Sequence, residues 1–148
     1  MSRDDFFGEI DKSISKTKAA EEGREKRIAQ IREDFKEIIP RLIPTVQEYE
    51  KELIGRGIKV NVESSDSHIT FKLRYKDGGH NDLYFGESKH FDGSFCFITY
   101  FTDDNGKRYE STNGTSYSEK NWNDQEYVEK LESHIKSFIL YSERHGGF

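Results

Sequence analysis

The chain has a single cysteine, Cys96, so no internal disulfide can staple it, and the expectation is a reducing compartment, the cytoplasm. The opening Met1-Ser2-Arg3-Asp4-Asp5 has neither the basic start nor the apolar run of an export signal. No apolar stretch approaches the roughly 20 residues that cross a bilayer, so no membrane partner is expected. Clusters of Lys and Arg are missing too. Charge of both signs is spread along the chain and sums to −5, which gives a phosphate backbone no electrostatic footprint and makes nucleic acid an unexpected partner.

Signatures of bound groups are equally scarce. There is no CxxC, no HExxH, no pair of histidines one helical turn apart and no phosphate-cradling GxxxxGK loop. No metal, cofactor or catalytic residue is therefore assigned. Hydrophobic content of 32% against 34% charge leans toward disorder, but 11 Phe and 8 Tyr supply large buried areas that a disordered chain lacks. At 148 residues the expectation is one α+β domain with an aromatic core: a helical region over 1–56, an antiparallel sheet over 57–117 and a C-terminal helix over 123–145.

From Phe7 the chain steps by three and four through Ile10, Ile14, Thr17, Glu21, Arg24, Ile28, Ile31, Phe35, Ile38 and Leu42, a heptad phase. Gly23 sits in its polar middle, so residues 5–39 read as one long helix or as a hairpin folded there. Pro40 and Pro44 predict a kink or stop near Ile39, with a second helix following to Gly55-Arg56-Gly57.

Alternating residues then predict a five-stranded meander. Ile58, Val60 and Val62 mark the first strand; Ile69, Phe71, Leu73 and Tyr75 the second; Leu83-Tyr84-Phe85 begins the third. The fourth, Phe95 to Phe101, is apolar on both faces, with Cys96, Ile98 and Tyr100 opposite Phe95, Phe97 and Phe101. That pattern predicts a cover on each side, from helices or from a second subunit. Asn105-Gly106 predicts a type I′ hairpin into a polar edge strand over Arg108–Thr112. Asn123 as N-cap, Glu126 closing a capping box and Trp122 stapling to Tyr127 predict the start of the last helix, whose stripe is Val128, Leu131, Ile135, Phe138 and Ile139.

Several groupings read better as structure than as chemistry. Cys96 with His68, His90 and Asp92 is a core thiol near turn residues rather than a nucleophile with its base. His68, His80 and His90 are solvated turn residues, and Asp103-Asp104-Asn105-Gly106 is a turn rather than a calcium loop.

What remains is surface. The expected function is a non-enzymatic protein-interaction or regulatory module, a homodimer or a binder of another protein. Its contact residues are Phe7, Ile10, Ile14, Glu21, Arg24, Ile28, Ile31, Phe35 and Ile38 on the helical region and Ile98 and Tyr100 on the sheet. Antiparallel pairing would set Phe7 against Ile38, Ile10 against Phe35, Ile14 against Ile31 and Glu21 against Arg24, although a hairpin at Gly23 would join nearly the same residues, and a single helix lying on the chain's own sheet is the remaining arrangement. One alternative is a small acidic inhibitor, of the immunity type, that blocks a basic partner. Another is an enzyme or small-molecule binder with a pocket between helices and sheet, lined by Tyr75, Tyr84, Tyr100 and Tyr109.

Overall fold

A computed structural model describes residues 2–148. The chain is α+β, in the order α1 (Arg3–Ile54), β1 (Lys59–Ser64), β2 (His68–Arg74), β3 (His80–Glu87), β4 (Phe95–Thr102), β5 (Arg108–Thr112) and α2 (Asp124–Tyr141), closed by a short 3-10 turn, Ser142–His145. The strands lie in sequence order, every neighbour antiparallel, as a meander.

Residues 5–39 form neither a hairpin nor a helix that stops at proline. They belong to one helix of 52 residues that runs through Gly23, Pro40 and Pro44. Pro40 and Pro44 stand one turn apart, and both are solvent-exposed. Each removes one N–H bond to the carbonyl four residues back, and on the wet side of a helix water can take the freed carbonyls of Lys36 and Pro40. Meanwhile the opposite face buries Phe35, Ile38, Ile39, Leu42, Val46 and Leu53, and this burial outweighs the two lost bonds.

Both helices pack on one face of the sheet, α1 over β1 and β2 and α2 over β3. The core between them holds Ile69, Phe71 and Leu73 of β2, Leu83 and Phe85 of β3, and Phe95 and Phe97 of β4. Phe35 stacks flat on Phe95 with centroids 4.1 Å apart, and Trp122 stacks on Phe85 at 4.6 Å. Trp122 thus joins the core, where Tyr127 packs on the same two rings, Phe85 and Phe97. The expected capping box at α2 is absent: Asn123 accepts from the Gln125 N–H, while the Glu126 carboxylate accepts from the Tyr117 hydroxyl.

The β4–β5 hairpin forms without a type I′ turn. Gly106 alone takes a positive φ, 79°, and Asn105 does not. The loop closes instead on Asp103, whose N–H donates to the Lys107 carbonyl and whose carboxylate accepts from the N–H groups of Asn105 and Lys107. That wider loop needs only one left-handed residue.

Candidate interaction surface

The first half of α1 stands clear of the rest of the molecule. From Ser2 to Arg27 every residue is exposed except half-buried Gly23. This arm is held helical by local devices. The Ser2 hydroxyl accepts from the Asp5 N–H while the Asp5 carboxylate accepts from the Ser2 N–H, a closed capping box, and Asp4 and Asp5 face the positive end of the helix dipole.

Apolar side chains cluster near the tip of the arm. Phe6, Phe7, Ile10 and Ile14 are 49%, 55%, 40% and 48% exposed. Their spacing of three and four places Phe7, Ile10 and Ile14 on one side of the helix, a stripe that none of the described residues covers.

The arm leaves the body at Ile28 and Arg32. Ile28 presses on Gly93, where an added Cβ would fall 2.8 Å from the Ile28 side chain. The Arg32 fork donates to both oxygens of Glu87 at 2.8 Å each, and the Gly93 N–H donates to the same carboxylate. The Arg32 hydrogen bond holds the Glu87 carboxyl below the usual carboxylate range, against the partial burial that would raise it. On the loop that follows β3, Phe91 is 72% exposed. An apolar tip and a partly apolar base therefore mark the two ends of the arm.

The expected contact residues divide accordingly. Phe7, Ile10, Ile14, Glu21 and Arg24 lie on the arm, and Ile28 and Ile31 are half-buried at its base. Phe35 and Ile38 are 0% and 4% exposed, committed to the chain's own core. The pairing of Phe7 with Ile38 and Ile10 with Phe35 is thereby ruled out, because the sheet occupies the place a partner helix would need.

Ile98 and Tyr100 are also no open contact surface. The strand register puts them on the face away from the helices, with Cys96, Asp82, Tyr84 and Glu110. No helix covers that face, yet Ile98 is 3% and Cys96 8% exposed. On this face the Lys89 ammonium and the Arg108 guanidinium each lie 5.3 Å from the centroid of the Tyr100 ring, and Lys89 pairs with Glu110. Burial raises the pKa of the Cys96 thiol, and the Asp82 carboxyl is raised for the same reason.

Of the four tyrosines expected to line a pocket, Tyr75 borders a cavity between α2 and the sheet. Tyr84 and Tyr100 lie on the opposite face, and Tyr109 stands on exposed β5. Phe6 and Phe91 escape the sequence reading. Phe6 falls outside the heptad phase, and Phe91 sits in a loop with no periodicity to mark it.

Among the described residues no three His, Cys, Asp or Glu side chains gather as a metal-binding group, and no helix is long and apolar enough to cross a membrane. No protein-family model, curated protein or solved structure matches the chain.

Proposed function

We propose that the protein is a non-enzymatic interaction module that self-associates through its N-terminal arm, two copies lying antiparallel. The observation that carries this reading is the arm itself, a stripe of Phe7, Ile10 and Ile14 on the half of α1 that the other described residues leave exposed.

Charge sets the direction. Residues 3–11 at the tip carry Asp4, Asp5, Glu9 and Asp11 against Arg3 alone, whereas residues 24–36 at the base carry Arg24, Lys26, Arg27 and Lys36 against Glu25, Glu33 and Asp34, with Arg32 already paired to Glu87. Antiparallel arms lay an acidic tip beside a basic base twice over. Parallel arms would put Glu21 on Glu21 and Arg24 on Arg24. Since the body blocks Phe35 and Ile38, the pairing slides one heptad toward the tip. Phe7 then meets Ile31, Ile10 meets Ile28, the Arg24 stem covers Ile14, and Phe91 stands beside the arriving tip. Such an interface is isologous and closes at two copies.

Sedimentation velocity across the micromolar range tests the proposal. The wild-type chain is expected to form a dimer, and Phe7→Glu and Ile10→Glu are each expected to weaken it at least about tenfold, as charges forced into an apolar seam do. A wild-type chain that stays monomeric throughout that range would overturn the reading.

A further inference from the structure

On the face of the sheet that no helix covers, the strand register lines up one basic row. Lys59 of β1 stands opposite Arg74 of β2, Arg74 opposite His80 of β3, and Thr102 of β4 opposite Arg108 of β5. The His80 N–H donates to the Thr102 hydroxyl oxygen and joins β3 to β4 at the same level. Like charges directly opposite each other on a sheet repel, and the acids nearby are engaged elsewhere. Glu63 pairs with Lys72, Glu110 with Lys89 and Glu52 with Arg56. Asp77 holds His145, and Asp103 and Asp104 border the cavity on the helix side of the sheet. Lys59 and Arg74 are both exposed and enter none of these pairs.

Beneath the row lies a couple without partners. Asp82 is 2% exposed, and its Oδ1 and the His80 Nδ1 are both sealed from water with no hydrogen-bond partner among the described residues. The two atoms are 3.7 Å apart, too far for a hydrogen bond. Sealed polar atoms left unpaired cost free energy. The rest of the His80 ring is open, 29% of its side chain being exposed. Arg108 leans in from β5 to the same place: its guanidinium lies over the Tyr100 ring, and its Nη2 is 3.6 Å from Asp82 Oδ2. Around His80 stand Lys72 and Arg74 of β2, Asp82 of its own strand, Tyr100 of β4, and Glu110 and Arg108 of β5. Lys72 and Glu110 are already paired, which leaves Arg74 and Arg108 to face an incoming anion.

We propose that Arg74, His80 and Arg108 bind the phosphate monoester of a phosphorylated side chain on a partner protein, with Lys59 adding charge beside Arg74. Three donors then meet the three free oxygens of the dianion, and two of the donors are guanidinium forks. The His80 imidazole, protonated on both nitrogens, donates through Nε2 to the phosphate and through Nδ1 to Asp82, so both sealed atoms gain their partner in the same step. A row on an open sheet face suits a group presented on a protein surface. A nucleic-acid backbone, a diester with one charge and two free oxygens per phosphate, would leave a donor unused. The arm lies elsewhere, so this site stands or falls independently of self-association.

Titration of the full chain with a short phosphoserine peptide, followed by amide and His80 ring chemical shifts, tests it. The peptide is expected to shift the resonances of Arg74, His80, Asp82 and Arg108 and to protonate the His80 ring. The unphosphorylated peptide and dimethyl phosphate are expected to bind at least about tenfold more weakly. Arg74→Ala and Arg108→Ala, at exposed positions, are each expected to weaken binding of the phosphopeptide about tenfold. Absence of shifts at those residues with the phosphopeptide up to millimolar concentration would overturn the proposal. So would equal binding of dimethyl phosphate, or unchanged affinity in a folded Arg74→Ala protein.

Discussion

The two halves of α1 belong to one helix and live in different surroundings. From Phe35 to Leu53 the helix buries six apolar side chains against its own sheet and α2, whereas from Ser2 to Arg27 comparable side chains lie in water. Packing dictates the second half and local chemistry holds the first. The arm extends a helix already formed on the body, so it needs no nucleus of its own, while Gly8 and Gly23 each weaken it by about 1 kcal/mol relative to alanine. The lesson is that periodicity reports helicity equally well in both halves and says nothing about what each half will touch.

Substitutions at matched aromatic positions sharpen that contrast most. Phe35→Ala removes a fully buried ring stacked on Phe95 and is expected to cost about 3 to 5 kcal/mol in urea unfolding. Phe7→Ala, at an exposed position, is expected to change the stability of the monomer by no more than about 0.5 kcal/mol. Equal losses at the two positions would show that the arm folds back onto the body in solution.

Acid should separate the halves next. Burial pushes His134 down to about 4 from the ordinary 6.5, with the Asn81 hydrogen bond opposing the shift only in part. Between those values the unfolded chain takes up a proton that the folded chain refuses. The stabilisation is therefore complete above about pH 6.5 and drains away as pH falls toward 4, a loss on the order of 3 kcal/mol. The body should weaken over this window while the arm, which has no histidine, keeps its helicity. His134→Gln is expected to flatten the slope in a series of urea titrations, and an unaltered slope would assign it to other groups.

Pro40→Ala supplies an N–H for the Lys36 carbonyl on the exposed side of α1 and is expected to raise the unfolding free energy by about 1 to 3 kcal/mol. A loss instead would show that the proline shapes the helix to fit the sheet. The smallest effect belongs to Gly23→Ala. The new Cβ meets nothing closer than Arg27 at 3.9 Å, so the arm should gain about 1 kcal/mol of local stability, read as roughly fivefold slower amide exchange around residue 23. Exchange in the body should stay the same.

Much of this architecture was legible in the residues. The heptad steps from Phe7 to Leu42, the alternation in each strand and Asn123 before the last apolar stripe mark real elements at nearly the right places. Where the reading failed, a local preference met a stronger opposing force. Pro40 and Pro44 pointed to a helix end, but the buried face of α1 outweighs two missing bonds on its wet side. Cys96, Ile98 and Tyr100 pointed to a second cover, but no helix lies on that face, where Lys89 and Arg108 reach over Tyr100 instead, and no pattern in β4 itself distinguishes cover by side chains from cover by a helix. Gly23 left helix and hairpin open because one glycine is worth too little to decide a topology. The basic row was visible only as scattered letters, because Lys59, Arg74, His80 and Arg108 come into line through the register of the strands.

Because α1 is unbroken, Phe7 and Phe35 are points on a single rod about 42 Å apart at 1.5 Å per residue. A load applied at the tip reaches the aromatic stack beneath the sheet with no joint to absorb it. Whatever grips the arm therefore holds a lever whose fulcrum is the Arg32–Glu87 clasp, and twisting or pulling that lever would be felt first by the rings around Phe95.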